Sequence, residues 1–170
     1  MKLFVNQKIG LKYMQLPLFK PSYPQWIEQA DYKICRTREE IQAAIEYLSG
    51  FEIVALDVET TGLLPYRDTL VGISMSAEFG QGYYFPIAHT QPGVNVDQAL
   101  VTELLFPYIS SRSFVFHNGP FDTQFFLKHG VRVEVMADTL FLARIANPYR
   151  ENGLKPLCNS LLGLEVVELS

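Results

Sequence analysis

A chain of 170 residues with 48% apolar, 13% aromatic and 19% charged residues has the length and composition of one globular domain. That balance excludes a disordered segment, and with no run of about 18 apolar residues it excludes a helical membrane span. The formal net charge of −4 argues against a surface that grips duplex DNA broadly through its phosphates, so any nucleic acid is held locally.

Residues 1–30 place Pro17, Pro21 and Pro24 among Tyr13, Phe19, Tyr23 and Trp26 with no helical or strand period. They are expected to form an extended arm that packs along the domain or a neighbour. Lys2 and Lys8 precede no clean apolar stretch or small-residue cleavage site, so a signal peptide is not expected there. The domain is expected over 31–170. Tyr32 to Cys35 suits a short strand, and Thr37 with Glu40 makes a capping box for a helix carrying Ile41, Ala44, Ile45 and Leu48 up to Gly50. Strands are expected over 52–57, near 69–76 and over 83–87, and their short connections make an antiparallel meander.

Beyond these, Asp97 caps a helix with Leu100, Val101, Leu104, Leu105 and Tyr108 on one side. Phe114 to Phe116 reads as a buried strand, and Pro120 and Gly130 bracket a helix with Phe125 and Phe126 in the core. Val131, Val133 and Val135 alternate with polar residues as a half-exposed strand. Asp138 caps another helix, and a last one runs from about Gly153 to Gly163. Three antiparallel strands followed by alternating helices and strands predict an α/β mixed sheet with helices on both faces. The 52–57 strand lies near its centre. Cys35 and Cys158 are single and far apart, which suits a reducing cytosol and leaves no zinc spacing.

Chemistry concentrates after the apolar run Ile53-Val54-Ala55-Leu56. Strict alternation on a strand turns Asp57 and Glu59 to the same face, and paired carboxylates there suit a hard divalent cation such as Mg²⁺. Thr60 to Leu63 form a tight turn expected to bare backbone N–H groups beside them. His117-Asn118-Gly119-Pro120-Phe121-Asp122 leaves a buried strand and enters a helix, with Asp122 in its first turn. That acid could stabilise the helix start or complete a three-carboxylate metal pocket. The His117 to Asp122 spacing is read as coincidence, and His89 and His129 as structural. Arg144 and Lys155 could lie along a nucleic-acid path or on a solvated face.

Asp57-x-Glu59-Thr60-x-Gly62-Leu63 followed by Asn118-x-x-x-Asp122 resembles the first two motifs of the DEDD superfamily of 3′→5′ exonucleases, which have a ribonuclease H-like fold. Tyr84 to His89, Asp138-Thr139 and Gly153-Leu154-Lys155-Pro156-Leu157 are similar to segments of the proofreading domain of family A DNA polymerases. The resemblance runs from about Tyr32 to Gly163. It implies catalytic and metal-holding roles for Asp57, Glu59 and Asp122, with two Mg²⁺ or Mn²⁺ ions about 4 Å apart. It also implies substrate contacts at Thr60, Leu63, Asn118 and Lys155. The implied substrate is a single-stranded 3′ end of DNA, with RNA possible. The implied partner is a polymerase domain in cis or on another chain, in the cytoplasm of a bacterial or phage-infected cell.

The family's third motif, Tyr-x-x-x-Asp or His-x-x-x-x-Asp beyond the Gly-Leu-Lys segment, is absent. No Tyr is followed four residues later by Asp, and no Asp follows Lys155. The expectation is therefore a C-terminally incomplete domain lacking its last helix. It is expected to be part of a longer or split polymerase and weak or inactive alone. The alternatives are a non-catalytic exonuclease-fold module that binds nucleic acid or a polymerase partner, and a ribonuclease D-like RNA exonuclease.

Overall fold

The structure of the protein, a computed structural model, describes residues 30–164. The expected arm over 1–30 lies outside them except for residue 30. Among the described residues no helix is long and apolar enough to cross a membrane.

Six strands form one sheet in the order β1-β4-β3-β2-β5-β6. They are β1 (Asp31–Ile34), β2 (Ala55–Thr60), β3 (Leu70–Ser76), β4 (Gln81–Pro86), β5 (Ser113–Phe116) and β6 (Glu134–Asp138). β2, β3 and β4 pair antiparallel as the expected meander, while β1 joins β4, β5 joins β2 and β6 joins β5 in parallel. The α/β mixed sheet predicted from the sequence is thus present, with β2 in its interior.

The helices follow their caps. Thr37 accepts from the Glu40 N–H while Glu40 reaches back to the Thr37 N–H, which starts α1 (Arg38–Ser49) and turns Ile41, Ala44 and Leu48 inward. Helix α2 spans 98–110, and its middle is a π-helical turn, Val101–Leu105. Pro107 carries no N–H to continue the ladder, and the turn before it widens so that the Phe106 N–H reaches Val101. The widening rotates the apolar face: Val101, Leu105, Phe106, Tyr108 and Ile109 are buried, whereas the expected Leu100 and Leu104 are only partly so. Helices α3 (Gly119–Lys128), α4 (Thr139–Ala146) and α5 (Leu154–Leu162) complete the chain. The core closes around Phe85, Phe114, Phe125 and Phe126, all fully buried.

Two expected strand bounds need correction. β2 begins at Ala55 instead of residue 52 and runs on to Thr60, so Asp57 and Glu59 lie within it and not at its end. Ile53 and Ala55 are exposed, because hydrophobicity alone does not say where pairing starts: the parallel partner β5 meets this strand at Ala55 opposite Val115. The strand expected from Val131 begins at Glu134, where Ser113 first pairs with it, and Val135 is exposed. His129, read as structural, is held below its ordinary pKa by burial and by the adjacent Lys128 charge.

Candidate active site

Strand alternation divides β2 cleanly. Leu56 and Val58 are buried in the core, and Asp57 and Glu59 take the other face, half-buried. Helix α3 packs against this strand and brings Asp122, 2% exposed, close enough for its Oδ1 to accept the Val58 N–H at 3.1 Å. Asp57 and Asp122 line the same open cleft of about 900 Å³. Burial pushes the Asp122 carboxyl up to about 7, and the Asp57 charge adds to that against the Val58 N–H. Burial raises Asp57 as well, with Glu59 contributing repulsion. Two carboxylates are held out of water beside one another, a costly arrangement unless a cation or a proton relieves it.

Asp138 explains why Asp122 sits where it does. Its buried carboxylate accepts from the N–H groups of Asn118 (3.1 Å) and Gly119 (2.7 Å) across the sheet, and of Leu140 (2.9 Å) and Phe141 (3.4 Å) in its own helix. Burial opposes its charge, but these four donors together hold Asp138 below the usual carboxylate range. Asn118 is left-handed, with φ 76° and ψ 46°, the conformation that swings the chain from β5 into α3. One side chain therefore starts α4 and clamps the turn before α3. From the sequence, Asp138 reads as a helix cap, and nothing local shows the second role.

The Leu63 loop has a similar hidden anchor. Asp68, also buried, accepts from the Leu64 N–H at 2.9 Å and pairs with Arg67, while Lys128 donates to its backbone oxygen at 2.9 Å. A Cβ at Gly62 would strike the Asp68 carboxylate, so this position admits only glycine without rearrangement. The result holds Leu63 77% exposed at the cleft. Thr61 donates its N–H to Thr69 and its hydroxyl accepts from the Thr69 N–H, so the turn is bonded and not bare there.

Of the residues singled out from the sequence, the cleft gathers Asp57, Asp122, Leu63, Asn118 and Lys155. Glu59 and Thr60 do not line it: Glu59 lies two residues beyond Asp57 on the same strand face, and the Thr60 hydroxyl turns to the Gly62 oxygen at 2.7 Å. His117 also lines it. The far wall adds Arg144 and Arg150, which the sequence placed only loosely or not at all.

The donors fit a divalent ion in kind, since carboxylate oxygens whose charges repel are what a hard cation favours. Among the described residues no group of three or more His, Cys, Asp or Glu is spaced to hold a metal. The acid pair is thus a partial ligand set.

Residues 32–170 match the 3′-5′ exonuclease family. DNA polymerase I of Pseudomonas aeruginosa is 29% identical over 83 residues, which are 48% of this chain and 9% of that protein. DNA polymerase I of Borreliella burgdorferi is 37% identical over 60 residues, 35% of this chain and 7% of that one. The matched part is therefore under a tenth of each relative's length. Escherichia coli RNase D superposes with a TM-score of 0.60 at 19% identity, covering 81% of this chain and 35% of that one. Brucella melitensis NrnC with bound Mg²⁺ gives 0.55 at 20% identity, covering 83% and 65%. The POL domain of Pol1 from M. smegmatis gives 0.62 at 17%, covering 79% and 23%. At these identities the likeness establishes a shared ribonuclease H-like fold.

Proposed function

The chain belongs to the 3′-5′ exonuclease family, and on that premise we propose that it serves as the proofreading module of a family A-type DNA polymerase, hydrolysing 3′-terminal nucleotides of a single strand. The observation that carries this reading is the convergence of Asp57 and Asp122 on one cleft, with Asp122 pushed up to about 7 by burial and by the neighbouring acid. A Mg²⁺ or Mn²⁺ ion held there would supply Lewis-acid chemistry for phosphodiester hydrolysis. Asp57 and Asp122 would hold the ion, with Glu59 reaching in from the same strand face. Leu63, held exposed by the Asp68 loop, offers an apolar surface for the terminal base. The backbone at Thr60 faces the 3′ hydroxyl, and Asn118 and Lys155 follow the strand.

In this reading residues 31–170 form the exonuclease domain, and the 1–30 arm meets its own domain or a polymerase neighbour. The two polymerase I relatives support a polymerase partner, in cis or on another chain, in the cytoplasm. Only two carboxylates line the cleft among the described residues, so the chain alone is expected to bind metal weakly and trim slowly. The test is incubation of the 170-residue chain with a 3′-labelled single-stranded DNA and Mn²⁺, with and without the polymerase partner. Slow trimming that the partner accelerates and Asp57→Ala abolishes is the expected result. No trimming under either condition overturns the reading.

A ribonuclease reading draws support from the fold shared with RNase D and with NrnC bound to pGG, the latter at TM-score 0.58. Faster removal of ribonucleotides than of deoxyribonucleotides from otherwise equal 3′ ends would favour it.

A further inference from the structure

We infer that His117 reads the bound nucleotide as a locked hydrogen-bond acceptor: its proton is held on Nδ1, and its Nε2 takes an O–H or N–H from the substrate. The inference deepens the exonuclease reading and rests on it for the identity of the ligand.

The lock follows from counting protons. His117 Nδ1 lies 2.9 Å from the Thr139 hydroxyl, and that hydroxyl lies 3.1 Å from the Phe116 carbonyl oxygen. A carbonyl only accepts, and a hydroxyl has one proton to give. The Thr139 proton therefore goes to Phe116, and the Thr139 oxygen presents a lone pair to the imidazole. Nδ1 must then be the donor. The relay is rigid at both ends: Phe116 pairs with Asp138 across β5 and β6, and Thr139 is the first residue of the helix that Asp138 caps. Burial, together with the Arg144 charge and against the Asp138 carboxylate, holds the ring below its ordinary pKa. A neutral ring with its proton on Nδ1 leaves a lone pair on Nε2.

That lone pair has somewhere to point. His117 lines the cleft with Asp57 and Asp122. Among the described residues the buried side-chain atom lacking a partner is Arg112 Nε, so Nε2, which also has no partner there, is open to solvent. An acceptor repels a phosphate oxygen and attracts a donor. His117 thus turns phosphates toward the cationic wall of Arg144 and Lys155, and pairs with a hydroxyl or an amine. With the 3′ hydroxyl taken up at the Thr60 backbone, the donors left in a 3′-terminal nucleotide are the ribose 2′-hydroxyl and the donor groups of the base edge.

Two measurements on the full 170-residue chain test this. Nitrogen-15 NMR of the imidazoles reads the tautomer directly. Nδ1–H is expected in the parent chain and in Thr139→Ser, with the proton moving toward Nε2 in Thr139→Val. A parent His117 that is Nε2–H or doubly protonated near neutral pH overturns the lock. Fluorescence anisotropy with single-stranded oligonucleotides, in Ca²⁺ to suppress trimming, reads the contact. His117→Phe is expected to bind about fivefold more weakly, the worth of one hydrogen bond, and His117→Gln to recover binding through its amide oxygen. Three 3′ ends separate the sources. A penalty on an ordinary deoxynucleotide end assigns the base edge, and one seen only with a ribonucleotide end assigns the 2′-hydroxyl. A penalty that persists on an abasic deoxyribose end, or that is absent from all three, overturns the contact. A parent chain that binds none of these strands sinks the exonuclease reading and this inference with it.

Discussion

On one side of the cleft, Asp57 and Asp122 come from β2 and α3, joined where Asp122 accepts the N–H of Val58, 64 residues earlier in sequence. On the other, Arg144, Arg150 and Lys155 come from one short stretch, and Arg144 is exposed. Local bonds shape that stretch: Asn147 accepts from the Tyr149 N–H, and the Asn152 amide donates to the backbone oxygens of Asn147 and Arg150. Long-range packing therefore positions the acid side, which can be disturbed only by disturbing the fold. The basic side is assembled locally, and the exposed Arg144 can lose its charge at little structural expense. Chemistry that needs fixed donors belongs on the first wall, and a backbone grip that tolerates sequence belongs on the second.

The comparison breaks most visibly at the acids. Asp57→Ala should reduce 3′ trimming by about 10³-fold, since a metal-held charge is worth several kcal/mol in the transition state. The chain should remain folded, because Asp57 is half-buried on the face of β2 away from the core residues Leu56 and Val58. Single-turnover rates beside a denaturation curve check both halves, and loss of fold with activity would refute the division.

Asp138→Ala should come next, costing about 3 kcal/mol of stability because it strands buried backbone donors. Asp138 is held below its ordinary value, so its contribution is present above the unfolded carboxylate range and is lost as pH falls through its lower folded value. The denaturant midpoint should therefore differ between parent and variant at pH 7 and converge toward strong acid. Equal midpoints at pH 7 would rule out the clamp.

Asp122 behaves in the opposite sense. Its folded value of about 7 lies above the ordinary 3.8, so folding favours the protonated form. Stability from this group is full below about pH 4 and declines as pH rises toward 7. Asp122→Asn should accordingly gain on the parent chain across that interval, on the order of 2 kcal/mol by pH 8. Mn²⁺ should narrow the gap by stabilising the parent. A difference that is flat with pH would contradict the buried-pair account.

The smallest effects belong to the basic wall. Arg144→Ala and Lys155→Ala should each weaken single-strand binding a few-fold and lower the salt dependence by less than about one ion. The stability of Arg144→Ala should stay within about 0.5 kcal/mol of the parent. A shift in melting comparable to Asp138→Ala would show that this wall is structural after all.

Much of this was legible in the chain. Caps announced themselves: Thr37 with Glu40, Asp138, Pro120 near a helix start and Gly163 after a helix end all behave as their local chemistry dictates. Asp57 and Glu59 on one strand face, and Asp122 in a helix first turn, were equally readable because strand and helix periods are local. Strand starts were less so. Ile53 and Val131 look like strand residues, but pairing begins at Ala55 and Glu134, where a neighbouring strand supplies hydrogen-bond partners. The π-helical turn before Pro107 also escaped a fixed 3.6-residue period, and it rotated the buried face of α2.

What the sequence by itself determined is the element order, the caps and the identity of the acids, since each depends on residues within a turn or a strand of one another. Only tertiary structure decided which acids meet, because the Asp57–Asp122 approach depends on how α3 packs on β2. It also decided that Asp138 serves two helices at once, that Asp68 holds up the Leu63 loop, and that Thr139 hands His117 its proton position. Each of these joins groups that no local period connects, through hydrogen bonds whose geometry exists only once the sheet is assembled.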